Sequence, residues 1–144
     1  MLDGQVIVIT GGSSGIGLAT AEAARDAGAA SLVLMARNPE RLAAAAARVG
    51  PRARSIAMDV TDEEAVREAF ASVGVFDHLV TAAAGTDRGA IVDTDYARAR
   101  ALFDAKFWGQ HHCLKHGAPH LRETGSVTLM SGWISRKPMR ETGT

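Results

Sequence analysis

TGGSSGIG, residues 10–17, stands between the apolar run QVIVIT (residues 5–10) and the helix-forming stretch GLATAEAARDAGA (residues 17–29). Three of its four glycines, Gly11, Gly15 and Gly17, are spaced G-x-x-x-G-x-G. Glycines in that place allow a tight turn and close backbone approach, and the helix that follows presents unpaired N–H groups to an anion. Ser13 and Ser14 add hydroxyl donors beside them. A glycine-rich turn alone is weak evidence. One set between a first strand and a first helix is a much more specific mark of a phosphate-binding βα unit.

Four further apolar runs follow: SLVLMA (31–36), RSIAMD (54–59), FDHLVTAA (76–83) and SVTLMS (126–131). Runs that are continuously apolar, rather than alternating, suit strands covered on both faces, as in a parallel sheet. Between them lie segments such as NPERLAAAAARVG (38–50), rich in helix formers and closed by glycine. TDEE reads as a capping box, with Thr61 as N-cap and Glu64 three residues on. Residues 93–121 form the longest helical stretch, read as two consecutive helices ended by Pro119 and Gly125. The alternation predicts an α/β fold with right-handed crossovers: a doubly wound parallel sheet of five strands with helices on both faces.

The chain's 144 residues suit a single domain with a core of ordinary size. Sixteen basic residues balance sixteen acidic ones, so net charge offers nothing to nucleic acid or to an anionic membrane. A lone cysteine, Cys113, has no internal disulfide partner and suits a reducing compartment. The N-terminal apolar run is too short for a leader or a membrane span. The expectation is a soluble cytoplasmic protein.

With these segments in view, the chain resembles the N-terminal part of a short-chain dehydrogenase/reductase. TGGSSGIG is similar to that family's cofactor turn, MDVTD (58–62) to its adenine-side segment and LVTAAAG (79–85) to its central-strand motif. FDAKFWG (103–109) is similar to its long interface helix and GSVTLMSG (125–132) to its catalytic-serine strand. The segments come in the family's order, across residues 5–137. The resemblance implies a Rossmann-like domain over residues 1–144, incomplete at its C-terminus. It also implies a nicotinamide cofactor held by Gly11, Ser13, Ser14, Gly15, Ile16 and Gly17 at the turn. Asp59 and Val60 would serve the adenine side, and Ala82, Ala83 and Gly85 would leave room for the ribose. The asparagine usual in that last segment is alanine here.

The end of the second strand discriminates between cofactors. A partner for a 2′-hydroxyl would be an acid about 20 residues beyond the glycines. Arg37 stands there, with no carboxylate until Glu40. A guanidinium can pair a 2′-phosphate bidentately, so NADP(H) is expected, with NAD(H) as the alternative.

Catalytic residues transfer less well. In the family a tyrosine moves the proton of the substrate oxygen, aided by a lysine four residues later, a serine and a helix asparagine. The asparagine falls on Lys106, and the serine falls on Gly132 in the tightest register, with Ser131 one position earlier. Ser131 and Lys106 are the candidate catalytic groups. The tyrosine position lies just past Thr144. Tyr96, the chain's only tyrosine, reads as a surface or packing residue on a helix, and Trp133 with Lys137 mimics the spacing without a usable acid. His112, His116 and His120 recur at metal-ligand spacing, but they read as surface residues and no metal is assigned.

Three functional classes are open to the sequence; the glycine turn argues against one, a purely structural partner subunit completing another chain's sheet, and two remain. One is an oxidoreductase acting on a small-molecule carbonyl or alcohol, a homo-oligomer through the helix around residues 95–121. The other is a dinucleotide-binding module or pseudoenzyme subunit without turnover. An exposed fifth strand and apolar residues Leu102, Phe103, Phe107 and Trp108 on the long helix would call for a partner or for more chain.

Overall fold

The computed structural model describes residues 1–83, 85 and 91–132. Within them five parallel strands make one sheet in the order β3-β2-β1-β4-β5. The strands are β1 (Val6–Thr10), β2 (Ser31–Ala36), β3 (Ala53–Ala57), β4 (Phe76–Thr81) and β5 (Leu121–Leu129). The order reverses at β1, so the carboxyl ends of β1 and β4 open a crevice where ligands bind in such sheets.

Strand alternation assigns each face its core. Ile7, Ile9, Leu32 and Leu34 point to α1 (Gly15–Asp26) and α2 (Pro39–Val49), packing with Ala21, Ala24 and Leu42. Val8, Val33 and Met35 point the other way, toward α3 (Glu63–Val73) and α5 (Gly109–Gly117), where they meet Phe70 and Cys113. Because consecutive side chains serve opposite layers, the central strands must be apolar throughout. Phe70 and Phe76 are fully buried with ring centroids 5.9 Å apart, the largest side chains of this second layer. Burial pushes the Cys113 thiol up to about 12, so it is a packing residue rather than a nucleophile.

Three expectations need correction. The helical stretch is one continuous helix from Tyr96 to Gly117, not two. Its α4 segment (Tyr96–Phe103) passes through a π-helical turn (Asp104–Trp108) into α5 with helical backbone angles at both junctions. It ends at Gly117, followed by a 3-10 turn (Ala118–His120) carrying Pro119. β5 begins at Leu121, five residues before Ser126. Leu121 pairs with Phe76, and an irregularity after this pair places Gly125 where a Cβ would lie 2.3 Å from the Asp77 carbonyl oxygen. The buried Asp77 carboxylate anchors this stretch, accepting from Val6 N at 2.8 Å and facing Arg122 Nε at 3.2 Å.

The third correction concerns α3. Its N-cap is Asp62, whose Oδ1 accepts from Ala65 N at 3.1 Å, not Thr61. Thr61 turns back instead, donating both its N–H and its hydroxyl to Asp59 Oδ1 at 2.9 Å. A carboxylate is the stronger acceptor for an orphan helix N–H, so the cap moves one residue along.

Candidate functional site

The glycine turn is locked by contacts that tolerate no side chain. Gly11 has φ +72°, and a Cβ there would lie 2.5 Å from the backbone of Ala82. At Gly17 a Cβ would meet the Gly11 carbonyl oxygen at 2.3 Å. The turn therefore folds over its own helix start and presses on the exit of β4. Gly11 N and Gly12 N both donate to the Met35 carbonyl, at 2.8 and 3.2 Å, which joins the turn to β2. Ser14, the N-cap of α1, is fully extended and makes no side-chain cap hydrogen bond, leaving the first turn of a twelve-residue helix open to an anion.

That helix end opens into a cleft of about 770 Å³ at the carboxyl ends of the strands. Gly11, Ser13, Ser14, Gly15 and Ile16 line it from the turn, and Arg37 from the exit of β2. Asp59 and Val60 line it from the exit of β3, and Ala82, Ala83 and Gly85 from beyond β4. Gly17 stands behind the turn, buried, and does not face the cleft. Arg37 is 74% exposed, and its Nη1 lies 4.0 Å from Asp59 Oδ2, so the guanidinium reaches across the cleft's rim without a tight partner.

Two cations here escaped the sequence reading. Arg41 lines the same rim because Asn38 caps α2, its Oδ1 accepting from Arg41 N at 2.7 Å, which sets Arg41 on the first helical turn. Arg98 comes from α4. Among the described lining residues, three guanidinium groups thus stand against one carboxylate, Asp59. The chain is neutral as a whole, yet the described lining of this cleft holds more basic than acidic side chains. The spacing R-N-P-E-R, with its Asn-Pro helix start, was the available signal for Arg41. A nicotinamide dinucleotide, the group that the resemblance implies, fits these residues: the glycine cradle is one that a Cβ would fill, and the open helix end and the basic rim suit its phosphates.

The candidate catalytic residues stand apart from the described lining of this cleft. Ser131 is exposed beyond the end of β5, and Lys106 is exposed on the π-helical turn. Gln110, which sequence reasoning passed over, links their backbones. Its Nε2 donates to the Lys106 carbonyl at 2.7 Å and to the Met130 carbonyl at 3.0 Å, while its Oε1 accepts from the Thr81 hydroxyl at 2.7 Å. One amide thereby braces the exits of β4 and β5 against the long helix, where alanine had replaced the expected asparagine. Tyr96 is exposed on α4 and pairs with Arg100, whose Nη1 is 3.4 Å from its hydroxyl. Trp133 and Lys137 lie outside the described residues.

Two of the three histidines, His112 and His116, are largely covered, contrary to expectation. His112 and His116 side chains are only 13% and 17% exposed, because α5 lies along α3 and both reach Glu63. Among the described residues no group of three or more His, Cys, Asp or Glu is arranged to hold a metal ion. Hydrogen bonds from Lys115 (2.7 Å) and then His116 (3.0 Å) bring the Glu63 carboxyl down to about 2 from an ordinary 4.5. A depressed carboxylate contributes stability above its unfolded value and loses it on protonation in the fold. Acid sensitivity from this group therefore falls between pH 4.5 and about 2. In thermal melts, Glu63→Gln should melt below the wild type at pH 6, and the difference should close as pH falls through that window. A constant difference would show that the carboxylate's ionisation contributes nothing.

Comparisons with known proteins agree on one family. The short chain dehydrogenase family model matches residues 5–143. An uncharacterized oxidoreductase of Bacillus subtilis is 37% identical over 131 residues, covering 86% of this chain and 36% of that protein. The cis-4-hydroxycyclohexanecarboxylate dehydrogenase of Sinomonas cyclohexanicum is 32% identical over 133 residues, covering 88% of this chain and 53% of its own. The chain thus spans about half or less of the length of these relatives. Among solved structures, L-sorbose reductase from Gluconobacter frateurii, complexed with NADPH and L-sorbose, superposes with a TM-score of 0.89 at 29% identity. That match covers 98% of this chain and 57% of the reductase. No described helix is long and apolar enough to cross a membrane.

Proposed function

The chain belongs to the short-chain dehydrogenase family, and from that premise we propose that it is the cofactor-binding part of an NADP(H)-dependent oxidoreductase working on a carbonyl or alcohol substrate. The observation that carries this reading is the basic rim: Arg37 and Arg41 stand beside a glycine turn whose helix end is open. A 2′-phosphate adds negative charge beside these guanidinium groups, and NADH brings them none.

When bound, the cofactor would supply or accept hydride at its nicotinamide C4. The protein's part is to hold and orient. Ser13, Ser14 and the first turn of α1 receive the pyrophosphate, Asp59 accepts from the adenine, and the Ala82–Ala83 backbone leaves space for the ribose. Ser131 is proposed to hydrogen-bond the substrate oxygen from the end of β5, with Lys106 as a second donor on the long helix. Two of its relatives, a hydroxy-acid dehydrogenase and a sugar reductase seen with NADPH, suit that substrate class.

The same reading makes the protein a cytoplasmic homo-oligomer. Phe103, Phe107 and Trp108 are exposed along one stretch of the long helix, Phe107 stacking edge-on to Trp108 at 5.1 Å, an apolar surface suited to a second copy. A second functional reading, binding without turnover, is favoured by the candidate catalytic groups, Ser131 past β5 and Lys106 on the π-helical turn, which are exposed and apart from the described cleft lining.

Titration with NADPH and NADH tests the proposal. NADPH should bind more tightly, by at least tenfold at low salt, with the margin narrowing as salt screens the guanidinium groups. Equal affinities would remove the NADP(H) assignment, and absence of binding to either would remove the reading as a whole. Tight binding with no oxidation of NADPH by any of a panel of aldehydes and ketones would favour the second reading.

A further inference from the structure

The wall of the cleft formed by Met58, Asp59 and Val60 lies beyond the end of β3, where sheet hydrogen bonding stops. Its attachments are few. Met58 N still donates to the Ala36 carbonyl at 3.0 Å, and Asp59 is tied locally by Thr61 and by Asp62 N. Val60 is held from behind, by α5. Gly109 faces it with no side chain: a Cβ there would lie 2.7 Å from Val60 Cγ2, so helix backbone and valine are in direct contact. One turn along the same face, His112 Nδ1 lies 3.0 Å from the Val60 carbonyl oxygen.

A carbonyl oxygen only accepts, so Nδ1 carries the proton in this bond. The other ring nitrogen, Nε2, lies 3.8 Å from Glu63 Oε2, and Glu63 Oε1 is held in turn by Lys115 and His116. The imidazole thus sits between the start of α3 and the cleft wall, hydrogen-bonded to the wall through Nδ1, although His112 itself does not line the cleft.

We propose that His112 is a positioning residue for nucleotide binding: its Nδ1–H, donated to the Val60 carbonyl, sets where Val60 and Asp59 stand in the cleft. This rests on the cleft being a dinucleotide site. It makes the long helix, which meets solvent on its other side, a determinant of cofactor affinity through one hydrogen bond.

The test uses two replacements that each keep one ring nitrogen. The amide nitrogen of asparagine stands where Nδ1 was, and that of glutamine stands nearer to Nε2. The wild type, His112→Asn and His112→Gln are titrated with NADPH and with NADH, following nicotinamide fluorescence, with thermal melts to establish that each variant is folded. His112→Gln should weaken both cofactors by about three- to tenfold, the loss expected for one uncharged hydrogen bond. His112→Asn should remain within about twofold of the wild type. Two variants at wild-type affinity, or two weakened equally, would overturn the proposal. Should a variant fail to fold, nitrogen-15 spectra of the wild-type imidazole decide, because a ring protonated only at Nε2 is incompatible with the Val60 bond. If the wild type binds neither dinucleotide, the functional reading itself falls. Wild-type binding with unaffected variants sinks only the role of His112.

Discussion

Gly17→Ala should abolish measurable dinucleotide binding and destabilise the fold by about 3 kcal/mol, the upper end of ordinary overpacking costs. The new Cβ would lie 2.3 Å from the Gly11 carbonyl oxygen, and the obstacle is backbone, not a side chain that can rotate away. Relief therefore requires the turn to lift off the first helix, which dismantles the anion cradle. A loss of that size would lower the melting temperature by roughly 10 °C in a domain of this length. Gly11→Ala should behave similarly, since it combines a 2.5 Å contact with the Ala82 backbone and a positive φ of 72°. Gly15→Ala is the informative contrast. Its φ of 53° makes any side chain strained, but nothing lies within 4 Å, so the cost should stay near 1 kcal/mol with the fold intact. Thermal melts of the three variants check the ranking. A Gly17→Ala protein as stable as Gly15→Ala would mean that the turn is not packed as described.

Arg37→Ala should cost about 10- to 100-fold in NADPH affinity while leaving NADH within about threefold. Charge-assisted hydrogen bonds contribute about 1.5–3 kcal/mol, and every 1.4 kcal/mol is a factor of ten. Only a ligand carrying the 2′-phosphate can lose that amount. The weak pairing of Arg37 with Asp59, at 4.0 Å and largely in solvent, means that the side chain gives up little to engage a phosphate. Arg41, on the adjacent turn, will retain part of the preference, so the double variant should lose more than Arg37→Ala alone. Isothermal titration of both cofactors measures the ratio directly. Parallel weakening of NADPH and NADH would show that Arg37 shapes the site without reading the phosphate.

Much of the fold could be read along the chain. β2 is SLVLMA at the expected residues, and β1 and β4 differ from expectation by a residue or two at an end. These strands are legible because burial on both faces demands an unbroken apolar run, and few other structures do. The expected β5 starts five residues late because LRETG, with its charges and glycine, carries no such run. It is strand nonetheless, since Leu121 finds Phe76 and Arg122 finds the buried Asp77, partners distant in sequence. The cap at Asp62 in place of Thr61 was a local contest between two good acceptors one residue apart, which pattern alone leaves undecided.

The site divides along the same line. The glycine turn and the arginine at the end of β2 follow from sequence, because their chemistry is carried by neighbours in the chain: backbone N–H groups, a positive φ and a charge at a set distance from the turn. Gln110, Arg98 and His112 do not, because their significance lies in what is brought opposite them. Gln110 matters only where Thr81 and Met130 converge, and His112 only where the Val60 carbonyl has left the sheet. The three histidines stand at metal-ligand spacing yet read as surface residues, and the packing of α5 on α3 puts two of them against Glu63 instead. Local chemistry is written in adjacent residues. Partnership between distant polar groups exists only after the chain has folded, since a buried donor is satisfied by whichever acceptor the packing delivers.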